Sequence, residues 1–90
     1  MITIQILEVP AKNRLLVSWR QSGVCNYTEQ LWALRKAEKT TRCAISDHPV
    51  RRGDQIYRPV GKPLNLATCI LADAVKLTPM ANQESIKNDS

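Results

Sequence analysis

A chain of 90 residues allows one domain rather than two, and at this size folding buries only roughly 60–70% of the unfolded surface, so the core is thin. Apolar residues make up 43% of it, which argues against wholesale disorder, and no apolar run approaches the ~18–20 residues of a membrane span. The formal charge is +5, and so short a chain is not expected to hold a complete multi-substrate active site.

Ile2, Ile4 and Ile6 alternate with Thr3 and Gln5, which is strand periodicity. Pro10 is expected to end that run, and Ala11-Lys12-Asn13-Arg14 makes a polar connection. Leu15, Val17 and Trp19 then alternate with Leu16, Ser18 and Arg20, so the two runs predict an antiparallel hairpin broken by Gln21-Ser22-Gly23. Residues 27–37 are ambiguous. Their Glu, Leu, Ala, Arg and Lys favour a helix, but an isolated hairpin is marginal and a third strand would complete the sheet, so the strand is taken.

Cys43-Ala44-Ile45-Ser46 leads into the turn cluster Asp47-His48-Pro49. Val50-Arg51-Arg52-Gly53-Asp54 supplies a second tight turn, with Gly53 free to take positive φ. Gln55-Ile56-Tyr57-Arg58 is a short strand stopped by Pro59, which would put Arg51 and Arg52 at a hairpin tip. A helix is predicted next, after Pro63, with Asn65 as N-cap and Leu66, Ile70, Ala74 and Leu77 on one face until Pro79 closes it. The expected fold class is α+β: a small antiparallel meander, partly barrel-like, then a knuckle and hairpin and one C-terminal helix. Residues 1–78 would form the domain and 79–90 a polar, disordered tail.

The charge is not evenly spread. Residues 35–62 carry a net +5, against +1 for residues 1–34 and −1 for residues 63–90. Within the middle third, Arg42, Arg51, Arg52, Arg58 and Lys62 are the candidate electrostatic footprint, with Tyr57 as a stacking platform. Arginine grips phosphate or carboxylate with a planar fork, which lysine lacks. Trp32 could stack if exposed, but core is the simpler expectation. Arg52-Gly53-Asp54 is read as turn chemistry only.

Cys25, Cys43 and Cys69 are odd in number and widely spaced, and Met1-Ile2-Thr3-Ile4 lacks the features of a signal peptide. The expectation is therefore a reducing, cytoplasmic setting without a disulfide framework. With His48, the single histidine, Cys43 and Cys69 are candidate zinc ligands, but no Cys-x-x-Cys pair is present and no cofactor is expected.

Two resemblances follow from these residues. The stretch from Cys43-Ala44-Ile45-Ser46 through Pro49-Val50-Arg51-Arg52-Gly53-Asp54 to Ile56-Tyr57 resembles the knuckle and hairpin of treble-clef zinc fingers, over residues 40–75. In that family a Cys-x-x-Cys knuckle and a second pair near the helix start hold the metal. Ser46 stands where the second cysteine would be, so the resemblance implies a knuckle that has lost its metal. The wider pattern is similar to a family of small proteobacterial, Burkholderia-type proteins of unknown function. It runs from Val17-Ser18-Trp19-Arg20, Tyr27, Gln30 and Trp32 through Cys43-Ala44-Ile45-Ser46 and Arg51–Pro59 to Leu64-Asn65 and Ile70-Leu71-Ala72, over about residues 15–75. That resemblance implies a bacterial cytoplasmic protein and transfers no catalytic residues. Leu15–Trp19 with Trp32 also resembles the small twisted barrels of the Tudor or SH3 kind.

The functional expectation is a non-enzymatic binding module for nucleic acid or another polyanionic surface. The alternative is a regulatory or inhibitory factor that binds an acidic protein, with self-association through a sheet edge as a further option. An enzyme of the metal-dependent nuclease kind would need His48 as base, and one histidine is too few for the histidine-rich version of that site.

Overall fold

The computed structural model describes residues 2–77. Strands β1 (Ile2–Ala11), β2 (Arg14–Gln21) and β3 (Cys25–Lys36) form an antiparallel meander. Strand β3 then pairs with β6 (Gln55–Pro59), and β6 with β7 (Ile70–Leu71), giving one sheet in the order β1-β2-β3-β6-β7. Two short strands, β4 (Thr41–Arg42) and β5 (Pro49–Val50), make a separate two-stranded sheet. The helix α1 is short, Ala72–Leu77. No helix among the described residues is long and apolar enough to cross a membrane.

The alternation of the first two strands sets the core face. Ile4 lies opposite Trp19, Ile6 opposite Val17, and Leu15 opposite Trp32. The two indoles meet at 5.7 Å between ring centroids, tilted by 34°, and both are fully buried. Register shifts between Ile6 and Glu8, between Glu8 and Ala11, and between Val17 and Trp19 bend the meander, and the sheet curls into a half-barrel around this pair. Residues 27–37 do form a strand through Lys36. Its gain is cross-strand burial of Trp32 on both sides, which outweighs local helix propensity.

Three expectations change. Pro10 does not end β1. The strand runs to Ala11, because β1 is at the sheet edge and a proline there removes no ladder donor that the sheet needs. The turn at residues 51–54 forms, with Gly53 at φ 94, but it does not close a hairpin. Strand β5 pairs with β4 and β6 pairs with β3, so the turn links the two sheets. The helix begins at Ala72 rather than after Asn65. Residues 64–67 are turns, with Leu64 72% exposed, and Ile70-Leu71 joins the sheet opposite Tyr57 and Ile56. Pairing with β6 overrides the helical spacing of Leu66, Ile70 and Ala74.

Asn65 has a different task from the expected cap. Its amide and that of Gln30 bond reciprocally: Gln30 Nε2 donates to Asn65 Oδ1 at 2.8 Å, and Asn65 Nδ2 donates to Gln30 Oε1 at 3.0 Å. Trp32 Nε1 donates to the same Gln30 Oε1 at 3.0 Å. Both amides are buried, at 7% and 4% exposure, so this network fastens the loop after β6 to the middle of β3. The Tyr27 hydroxyl adds a second tie by accepting from the Leu64 N–H. The expected polar tail, 79–90, lies outside the described residues.

Candidate functional site

The turn between β5 and β6 is built by Asp54. Its Oδ2 accepts from the Arg51 N–H at 2.8 Å, and its own N–H donates to the Arg51 carbonyl at 3.0 Å. The turn then docks on the end of β3. Gly53 N–H donates to the Ala37 carbonyl, and Ala37 N–H donates to the Asp54 carbonyl, both at 2.8 Å. Gly53 is the residue that permits this, since its φ lies in the region that L side chains avoid.

This docking gathers charge. Arg35 and Lys36 end β3, opposite Ile56 and Gln55. Lys39 follows two residues beyond Ala37, and Arg51 and Arg52 sit in the docked turn. All five cations are exposed, and no ion pair holds any of them among the described residues. Glu38, Asp54 and Asp73 oppose them locally, Asp73 sharing one depression with Gly53 and another with Arg51, and the Asp54 carboxylate is engaged by backbone.

The residues expected in the footprint therefore divide. Arg51 and Arg52 join this basic end. Arg58 is half-buried and donates Nη2 to the Leu66 carbonyl at 3.0 Å. It lines a depression of about 280 Å³ together with Glu38 and Lys39, so it borders the same end. Arg42 is exposed but bonded to the Asp47 carbonyl at 2.9 Å, with its carboxylate at 3.9 Å, on the neighbouring sheet. Lys62 is exposed beyond the far end of β6, past a strand about 13 Å long at ~3.3 Å per residue. Tyr57 is 7% exposed and packs in the core against the curled sheet, so its ring offers no face for stacking. Trp32 is core as well.

The contribution of Arg35, Lys36 and Lys39 was not among the expected site residues. The charge distribution contained them, and the strand reading of residues 27–37 put two of them at a strand end. What the linear pattern lacked was the docking of residues 51–54 on Ala37.

The zinc candidates do not converge. Among the described residues no group of three His, Cys, Asp or Glu side chains could hold a metal. His48 is exposed and meets Cys43 through its backbone, its carbonyl accepting from the Cys43 N–H at 3.0 Å. Cys43 and Cys69 do come together. Ala44 N–H donates to the Cys69 carbonyl at 2.8 Å, Leu71 N–H donates to Cys43 Sγ at 3.3 Å, and Cys69 Sγ donates to the Arg42 carbonyl at 3.6 Å. Ser46 N–H also donates to Cys43 Sγ, at 3.5 Å.

Comparison with curated proteins and with solved structures finds no match. A family model does match, over residues 2–77, which spans every described element from β1 to α1. By that match the chain belongs to the family described as Domain of unknown function (DUF3331).

Proposed function

We propose that this chain is a small, non-enzymatic binding module that grips a nucleic-acid phosphate backbone with its basic end. The observation that supports the reading is the docking of the Arg51–Asp54 turn on Ala37. It brings five exposed, unpaired cations from two separate stretches of chain onto one end of the sheet. Clustered cations with little opposing charge release counterions when a phosphate backbone displaces them, which drives sequence-independent binding. Arg58, at the depression shared with Lys39, extends the footprint inward. The absence of an exposed aromatic there favours backbone contact over base stacking.

A bacterial, cytoplasmic setting belongs to the same reading, as does descent of residues 40–75 from a treble-clef knuckle. The tight turn in which Asp47 N–H donates to the Cys43 carbonyl at 2.9 Å, with Ser46 in place of a second cysteine, supports the latter.

The test is a salt titration of binding to a labelled DNA duplex, read by fluorescence anisotropy. Affinity falls steeply with salt, and Arg51→Ala with Arg52→Ala lowers the slope of log K against log salt by about two. Arg20→Ala, a cation outside the basic end, leaves the slope unchanged. A flat salt response removes the nucleic-acid reading. If a protein then persists on the chain in nuclease-treated lysate and is lost with the Arg51 and Arg52 substitutions, the partner is an acidic protein surface instead.

A further inference from the structure

We infer that Cys43 and Cys69 form a redox-active dithiol, in which Cys43 is the sulfur oxidised first, by attacking a peroxide, and Cys69 resolves it to an intramolecular disulfide. The inference is independent of the basic end.

The geometry comes from the seam between two segments. The Ala44 N–H to Cys69 carbonyl bond sets the Cys43-Ala44 backbone beside Cys69. A disulfide needs Cα atoms about 4.4–6.8 Å apart, and this bond, one residue from Cys43, draws the two segments together. Each sulfur also crosses the seam. Cys43 Sγ reaches the N–H of Leu71, and Cys69 Sγ reaches the carbonyl of Arg42. Both thiols are free, and both line one open depression of about 470 Å³, which Arg42, Asp47 and Thr68 help to form. A small oxidant therefore has an approach to two cysteines that are otherwise buried.

The roles differ because the surroundings differ. Burial pushes the Cys43 thiol up, but the Ser46 side chain and the backbone N–H groups of Ser46, Leu71 and Ile45 outweigh it and hold Cys43 below the ordinary thiol range. Cys69 goes the other way: burial and the neighbouring Cys43 charge push it up, against a partial offset from Arg58. Cys43 is thus the more readily ionised of the two sulfurs, and Cys69 the one that holds its proton more firmly.

The chemistry balances with a hydroperoxide as oxidant. The Cys43 thiolate attacks one peroxide oxygen, an S–O bond forms, the O–O bond breaks, and the departing hydroxide takes up a proton as water. The Cys69 thiol then attacks the Cys43 sulfur. The S–S bond forms, the S–O bond breaks, and hydroxide leaves with the Cys69 proton as a second water. Two thiols lose two electrons, and hydrogen peroxide is reduced to two waters.

The experiment treats the folded full chain with hydrogen peroxide, blocks the remaining thiols, and maps peptides by mass spectrometry. A Cys43–Cys69 cross-link is expected in a chain that remains monomeric, with Cys25 still alkylated. In Cys69→Ser the cross-link is lost and a sulfenic acid at Cys43 is trapped by a 1,3-diketone, whereas in Cys43→Ser the Cys69 thiol survives the same treatment. The pH profile of Cys43 alkylation in the untreated chain reaches its plateau at lower pH than that of N-acetylcysteine amide. A cross-link through Cys25, a cross-link only between chains, or intact Cys43 and Cys69 after peroxide overturns the inference. Should either variant fail to fold, the peptide map and the pH profile of the unsubstituted chain decide it.

Discussion

At the scale of single residues, the buried polar groups carry more consequence than the apolar ones. Gln30 serves two partners with one oxygen and a third bond with its nitrogen, and no buried side-chain nitrogen or oxygen among the described residues is left without a partner. Asn65→Ala would leave the Gln30 amide nitrogen buried and unpaired, at a cost of about 1–3 kcal/mol in a urea denaturation series. Gln30→Leu should cost more, because it also strips the acceptor from Trp32 Nε1. Combining Gln30→Leu with Asn65→Ala should cost less than the sum of the two single changes, since neither amide is then left facing an absent one. Equal and additive losses would mean that the amide pair is not the link it looks like. In the sequence Asn65 is indistinguishable from a helix cap, because an asparagine after a proline-containing loop suits both tasks. Only the position of Gln30, 35 residues away, separates them.

At the scale of elements, the turn between β5 and β6 decides where the charge lies. Gly53 has open space around it but a φ of 94, so Gly53→Ala meets backbone strain rather than a clash. The expected loss is about 1–2 kcal/mol by chemical denaturation. If the turn instead relaxes away from Ala37, the salt slope of DNA binding should fall as it does for the arginine substitutions. A neutral effect on both stability and binding would show that the docking does not depend on this residue. The early strands were readable because strict alternation at Ile2, Ile4, Ile6 and at Leu15, Val17, Trp19 has one physical meaning, a half-buried pleated ribbon. The late helix was not, because Ile70 and Ala74 fit a helical stripe and a strand-then-helix equally well. The partner that chose between them, β6, is remote in sequence.

At the scale of the whole molecule, charge and core are separated. The curled sheet holds Trp19, Trp32 and Tyr57 on its concave side, while the five free cations stand at the end where β3 meets the docked turn. Net charge in the middle third was legible from composition. Its convergence was not, since Arg35, Lys36 and Lys39 reach Arg51 and Arg52 through the pairing of β3 with β6 and the two hydrogen bonds at Ala37. Tyr57 was misplaced for a related reason: a tyrosine flanked by arginine reads as interfacial until the sheet that covers it is known.

The reciprocal amide pair also says something about the order in which the chain folds. The β1–β2 and β2–β3 ribbons close over short turns, whereas the Gln30–Asn65 link must close a loop of 35 residues and gains nothing until β6 has docked. On that ordering the link is expected to form after the rate-limiting step. In stopped-flow measurements Asn65→Ala should therefore speed unfolding and leave the refolding rate nearly unchanged, and a slowed refolding limb would place this seam in the folding nucleus instead. The fastener that completes the core would then act as the latch on its lifetime, setting how long a folded molecule persists rather than how quickly one is made.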